Sequence, residues 1–169
     1  PEYGEGLEEV LKLKGVHGIL NGIDYQEFDP ASDPHLSARY DASTLEKRQE
    51  NKAELQRRAG LPIRPQVPLL GMVGRLASQK GVDLVAQAQP HLLKKRDVQF
   101  LWLGSGEEKF RLAVAQAIAP FPDKAKLIFG FDLALAPLIY AGCDIFLMPS
   151  RHEPCGLGQL IALRYGAIP

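Results

Sequence analysis

Short apolar runs alternate with longer mixed stretches in the chain from residue 67 onward. The apolar runs predict strands at 67–73, 98–103, 126–129 and 144–148, with a fifth starting at Ala167. The mixed stretches predict helices near 82–95, 107–118, 133–141 and 156–165. Strands that are apolar along their whole length are buried on both faces, as in a parallel sheet covered by helices. The pattern therefore predicts a doubly wound α/β fold.

The first third of the chain has a weaker pattern. Residues 16–20 are apolar enough to predict one short strand, whereas 24–42 mix Asp, Pro, Ser and Tyr without periodicity and predict an irregular connection. Residues 43–59 are rich in Glu, Lys, Arg, Gln and Leu and predict a helix, with Ser43 or Thr44 as its N-cap.

Composition narrows the classes of partner. Hydrophobic residues make up 46% and charged residues 24% of the 169, the balance of a folded globular domain. Lys+Arg and Asp+Glu are 20 each, and this neutrality argues against nucleic acid or an anionic membrane as the partner. No apolar run approaches the roughly 18 residues that span a bilayer. Two cysteines make no disulfide framework and favour a reducing compartment such as cytoplasm or plastid stroma.

The loop after the first predicted strand is a candidate anion site. Doubly wound sheets bind ligands at the carboxyl ends of their strands. Here Gly74 and Gly81 enclose two cations, Arg75 and Lys80, just before a predicted helix. Arg75 could hold two oxygens of a diphosphate as a fork, and Lys80 could add a point charge. The alternative is a solvated turn in which both cations face water.

The loop after the predicted strand at 144–148 offers a carboxylate. Glu153 could accept hydrogen bonds from sugar hydroxyls or stabilise positive charge on a sugar ring, or it could merely complement the dipole of the next helix. Gly156 and Gly158 would expose backbone N–H groups to an anion. Cys155 is better interpreted as a packed residue than as a nucleophile, since no His partner is identifiable from spacing.

Long segments of the chain resemble the glycogen and starch synthases that use ADP-glucose or UDP-glucose. The segments are GILNGIDYQEFDPASD (18–33), VGRLASQKGVDLV (73–85), FLWLGSGE (100–107) and YAGCDIFLMPSRHEPCGLGQLIALRYGAIP (140–169). The resemblance implies a GT-B glycosyltransferase with two Rossmann-like halves, in which 1–24 are interdomain linker and 25–169 part of the C-terminal nucleotide-sugar-binding half. Because the chain starts without Met and stops as a strand begins, we expect a fragment of a longer enzyme. Without the N-terminal half that the resemblance implies, this fragment should be inactive.

The resemblance also implies roles for individual residues. Arg75 and Lys80 would hold the donor diphosphate, and Glu153 would contact the donor glucose near its reacting carbon. The remaining donor-binding positions would be Asn21, Gln79, Phe131, Cys155, Gly156, Leu157 and Gly158. Among these, Phe131 would stack on the nucleotide base, and the backbone amides of 156–158 would cradle the sugar and distal phosphate.

The same resemblance implies partners and a mechanism. The substrates would be a nucleotide-sugar donor and an α-glucan acceptor bound through the missing N-terminal half, and transfer would retain the anomeric configuration. The chain has no Asp-x-Asp, so we expect no cofactor and no metal, with side-chain cations in the metal's place. Family members usually have Thr where Gly158 stands and an aromatic residue where His152 stands.

Two alternatives to this family are open. One is a sucrose-synthase-like enzyme, but those enzymes carry a second Glu where this chain has Ile161. The other alternative is a non-catalytic nucleotide-binding module.

Overall fold

A computed structural model describes residues 6–169, and its centre is a four-stranded parallel sheet. The strands are β1 (Leu69–Val73), β2 (Gln99–Gly104), β3 (Ala125–Phe129) and β4 (Ile145–Phe146). Their order across the sheet is β3-β2-β1-β4, with Leu69 beside Gln99 and Leu70 beside Ile145. The four complete predicted strands are confirmed, with β4 shorter than predicted.

Helices connect the strands as the pattern predicts. They are α1 (Glu8–Lys14), α2 (Arg48–Arg58), α3 (Val82–Lys95), α4 (Glu108–Ile118), α5 (Leu135–Gly142) and α6 (Leu157–Arg164). A short 3₁₀ turn, Leu45–Lys47, leads into α2. The predicted capping by Ser43 or Thr44 is wrong, because neither side chain bonds to a helix N–H group. Both hydroxyls donate to Asp41 Oδ1 instead, at 2.6 and 3.1 Å.

Alternate side chains of the strands enter two separate cores. Leu69 and Leu101 point into one core together with residues of α2, α5 and α6. Leu70 and Trp102 point into the other, together with residues of α3 and α4. Because both faces of the sheet are covered, its strands are apolar throughout. The doubly wound architecture is confirmed.

Gly71 of β1 lets α5 pack closely on the sheet. A Cβ atom there would lie 2.8 Å from Ile139 Cγ2 and 3.0 Å from the Cβ of Cys143, so only glycine fits without movement.

Burial raises the pKa of the Cys143 thiol to about 12, which keeps it protonated at neutral pH. Cys143 is a packing residue, and both cysteines of the chain are free.

An ion pair with a buried lysine joins α2 to the end of the sheet at which the strands begin. Lys52 Nζ lies 2.7 Å from Asp144 Oδ2 and also donates to the carbonyl of Pro65 at 2.9 Å. The same Asp144 oxygen accepts the backbone N–H of Leu69 at 2.7 Å. The Lys52 side chain is only 4% exposed, so its charge depends on these oxygens for compensation.

Two predictions at the ends of the pattern are corrected. Residues 16–20 form no strand, and Val16, Ile19 and Leu20 are exposed at 66%, 92% and 79%. At Ala167 the structure has one parallel bridge, between Ile168 and Ile145, in place of a full strand. The connection at 24–42 is irregular, as predicted. No helix within residues 6–169 is both long and apolar enough to cross a membrane.

Candidate active site

A hollow of about 420 Å³ lies at the carboxyl ends of β1 and β4, where the loops after these strands meet. This volume is within the range of small-molecule sites, roughly 300–1,000 Å³. Its lining includes Gly74, Lys80, Ser150, Glu153, Cys155, Leu157 and Gly158. Five of the predicted site residues therefore border one cavity: Lys80, Glu153, Cys155, Leu157 and Gly158.

Lys80 and Glu153 contact each other directly inside this hollow. Lys80 Nζ lies 2.5 Å from Glu153 Oε2, and the hydroxyl of Ser150 donates to the same oxygen at 3.0 Å. The Lys80 hydrogen bond is the largest cause that lowers the pKa of the Glu153 carboxyl below its usual range. Glu153 is thus an ionised acceptor at neutral pH. Glu153 therefore does more than complement the dipole of the next helix, because it also binds a cation from another loop.

Gly81 allows the two loops to approach backbone to backbone. It is the first residue before α3 and adopts a left-handed φ of 68°, which favours glycine. A Cβ atom at Gly81 would lie 2.1 Å from the carbonyl oxygen of Pro149, a distance that no side chain tolerates. The close approach at Gly81 therefore helps to bring Lys80 to Glu153.

The start of α6 forms another wall of the hollow. Gly156 precedes the helix with a left-handed φ of 69° and does not line the hollow itself, whereas Leu157 and Gly158 do. First-turn N–H groups of a helix have no acceptor within that helix, so they are available to an anion. A Cβ atom at Gly158 would lie 3.1 Å from Met148 Sδ, so a larger residue there would require Met148 to shift.

Arg75 and Phe131 face a second, smaller hollow next to the first. This hollow of about 170 Å³ shares Val73 and Gly74 with its neighbour. The Arg75 side chain is exposed and forms no hydrogen bond or ion pair with another residue of the described part of the chain. Phe131 is 83% exposed and presents a bare aromatic ring. A free guanidinium and an open ring beside Lys80 and Glu153 suit an anion joined to a planar group.

Besides Gly156, two predicted residues, Gln79 and Asn21, lie apart from both hollows. Gln79 donates its amide N–H to the carbonyl of His152 at 3.1 Å and so links the loop after β1 to the loop after β4. Asn21 is exposed, and its neighbour Gly22 borders a third hollow beside α6. The donor-binding role of Asn21 stays a prediction.

The sequence did not point to Ser150 or Tyr140 as site residues. Ser150 shares Glu153 with Lys80, and its place in the loop three residues before the carboxylate was the available signal. Tyr140 comes from α5 and lines the larger hollow, although it is only 8% exposed. Nothing in its local sequence pattern distinguishes it from a core residue. Within residues 6–169, no cluster of three or more His, Cys, Asp or Glu side chains could hold a metal ion.

The sequence profile of the glycosyl transferases group 1 matches residues 67–168, and the chain belongs to this family. Among curated relatives, it is 55% identical to the glycogen synthase of Moorella thermoacetica and 52% identical to that of Bacillus subtilis (strain 168). Both alignments cover 100% of this chain and 35% of the relative. The chain thus spans about a third of the length of these relatives.

Solved structures agree with this assignment. The catalytic domain of starch synthase IV from Arabidopsis thaliana, bound to ADP and acarbose, superposes with a TM-score of 0.90 at 40% identity. The match covers 99% of this chain and 35% of that one. A C-terminal domain of a glycosyl transferase group 1 protein from Francisella tularensis has a TM-score of 0.57 at 22% identity over 86% of this chain and 68% of its own, which shows the fold alone. The predicted Rossmann-like GT-B fold and the resemblance to glycogen and starch synthases are confirmed.

Proposed function

We propose that this chain forms the donor-binding part of a glycogen or starch synthase. The complete enzyme would transfer glucose from ADP-glucose or UDP-glucose to the end of an α-1,4-glucan, with retention of configuration. The main support for this proposal is the Lys80–Glu153 contact in the larger hollow. The free Arg75 side chain lines the smaller hollow next to it. The similarity to a starch synthase that was bound to ADP supports the choice of a nucleotide-sugar donor.

Arg75 and Lys80 would act on the leaving group. When the bond between the glucose and the nucleoside diphosphate breaks, negative charge grows on the diphosphate. Cations placed beside those oxygens stabilise the transition state more than the ground state, which raises kcat. Arg75 is free to bind two oxygens at once. In this proposal the two side chains supply the charge that a divalent metal supplies in other transferases.

Glu153 would act on the sugar. Because its carboxylate stays ionised, it can accept hydrogen bonds from glucose hydroxyls and favour the positive charge that develops on the ring. Lys80 would bridge the two parts of the donor, since it contacts Glu153 and faces the hollow. The N–H groups of Leu157 and Gly158 would bind the sugar or distal phosphate, and Phe131 would stack on the base.

An ADP titration tests the donor site directly. We expect Arg75→Ala to weaken ADP binding by this chain about tenfold to a hundredfold, because a hydrogen-bonded charge contributes roughly 1.5–3 kcal/mol. Isothermal calorimetry would measure the dissociation constant. Arg96→Ala is the matched control, because Arg96 is also exposed but follows α3 at the opposite edge of the sheet.

Two results would contradict the proposal: a parent chain that does not bind ADP, or equal affinities for the parent and Arg75→Ala. Because the chain spans a third of its relatives, we also expect it to transfer no glucose to glycogen without the remaining two thirds. Binding without transfer is the expected behaviour of this part alone.

A further inference from the structure

Arg151 joins the loop after β4 to the loop after β1 and to the start of α3. Its guanidinium binds Asp83 through two parallel hydrogen bonds, Nη1 to Oδ1 at 2.7 Å and Nη2 to Oδ2 at 2.6 Å. Nη1 also donates to the carbonyl of Ser78 at 2.6 Å, and the backbone N–H of Arg151 donates to the carbonyl of Gln79 at 2.8 Å. One residue thus contacts the loop after β1 at Ser78 and Gln79 and the first turn of α3 at Asp83.

These contacts flank the reacting side chains. Ser78 and Asp83 lie on either side of Lys80, two and three residues away, and Arg151 lies two residues before Glu153. Arg151 itself lines neither of the two hollows of the site. We therefore expect a shift of Arg151 relative to Asp83 to change the distance between Lys80 and Glu153.

We propose that the Arg151–Asp83 ion pair positions Lys80 against Glu153 for donor binding and transfer. The proposal rests on the donor site proposed above and makes Arg151 a positioning residue. The Arg151 and Asp83 side chains are 42% and 31% exposed, and partly exposed pairs add little to folding stability. A misplacement of about 1 Å can nevertheless cost about a hundredfold in rate. The pair should therefore matter far more for the site than for the fold.

A measurement that needs no ligand tests whether the ion pair positions Lys80 against Glu153. Lys80 is the main cause of the low pKa of Glu153. We expect Arg151→Lys, which keeps the charge and loses the fork, to raise that pKa toward its ordinary value. Asp83→Asn should raise it too, although removal of a negative charge alone would lower it. NMR titration of the Glu153 carboxyl carbon measures the effect, and an unchanged or lower pKa in both variants would overturn the proposal.

Ligand binding and kinetics test the consequence. We expect Asp83→Asn to weaken ADP binding by this chain about fivefold, and in a full-length synthase to lower kcat about tenfold or more with a smaller change in the donor KM. Arg151→Lys should lose less ADP affinity and less kcat than Arg151→Ala. If Asp83→Asn binds ADP more tightly, Arg151 contacts the ligand itself and the proposal is wrong.

The control is another forked pair of the same chemistry. Arg64 binds Asp97 at 2.7 and 2.5 Å, at the opposite edge of the sheet, so Asp97→Asn should change neither the Glu153 pKa nor ADP affinity. Both Asn variants should melt at similar temperatures. A much lower melting temperature for Asp83→Asn alone would show a folding role and overturn the proposal. A parent chain that binds no ADP would defeat the donor site, while the NMR titration would still decide the role of Arg151.

Discussion

Lys80→Met should lower kcat for glucosyl transfer about 10²–10³-fold in a full-length synthase that contains this chain, as expected when one preorganised charge donor is removed from a transition state. Methionine keeps most of the length of the side chain and removes its charge. Two effects combine, because the diphosphate loses a cation and Glu153 loses the hydrogen bond that holds its pKa low. The measurement is the initial rate of glucose incorporation into glycogen at saturating donor.

Lys94→Met is the matched control for this experiment. Lys94 is an exposed lysine in the last turn of α3, whereas Lys80 lies just before the first turn of the same helix. We expect it to keep the parent rate. A Lys80→Met enzyme with more than half of the parent kcat would show that Lys80 does not stabilise the leaving group.

The sheet was predictable because its strands are buried on both faces. Leu69 and Leu70 enter different cores, so every position of β1 had to be apolar or small, and the run stood out in the sequence. The run at 16–20, with apolar side chains at three of its five positions, gave a wrong strand. A strand needs a neighbour for its backbone groups, and local hydrophobicity does not tell whether one exists.

The site was predictable as a set of loops but not as a set of contacts. The topology of a doubly wound sheet places the loops after β1 and β4 at one edge, which brings Lys80 and Glu153 into the same hollow. The sequence does not show that they bond to each other, because the loop geometry depends on the Gly81–Pro149 approach. The same limit applies to Arg151 and Asp83, which are 68 residues apart.

At the end of the sheet where the strands begin, opposite the candidate site, Asp144→Ala should lower the free energy of unfolding by about 3–5 kcal/mol. The substitution leaves the buried ammonium of Lys52 without its counter-ion. The N–H group of Leu69 would lose its acceptor as well. Urea unfolding followed by circular dichroism measures the change. Asp97→Ala, which breaks an exposed pair, should cause a much smaller loss.

A second substitution separates the buried charge from the packing. In the double variant Asp144→Ala with Lys52→Met, the unpaired charge is gone, and most of the lost stability should return. A double variant as unstable as Asp144→Ala alone would show that the shape of Asp144 and its bond to Leu69 matter more than the ion pair. Asp144 precedes β4 and Glu153 follows it. The folded Asp144→Ala protein should therefore bind ADP with the parent affinity, since Asp144 and the proposed donor site lie at opposite ends of the strands.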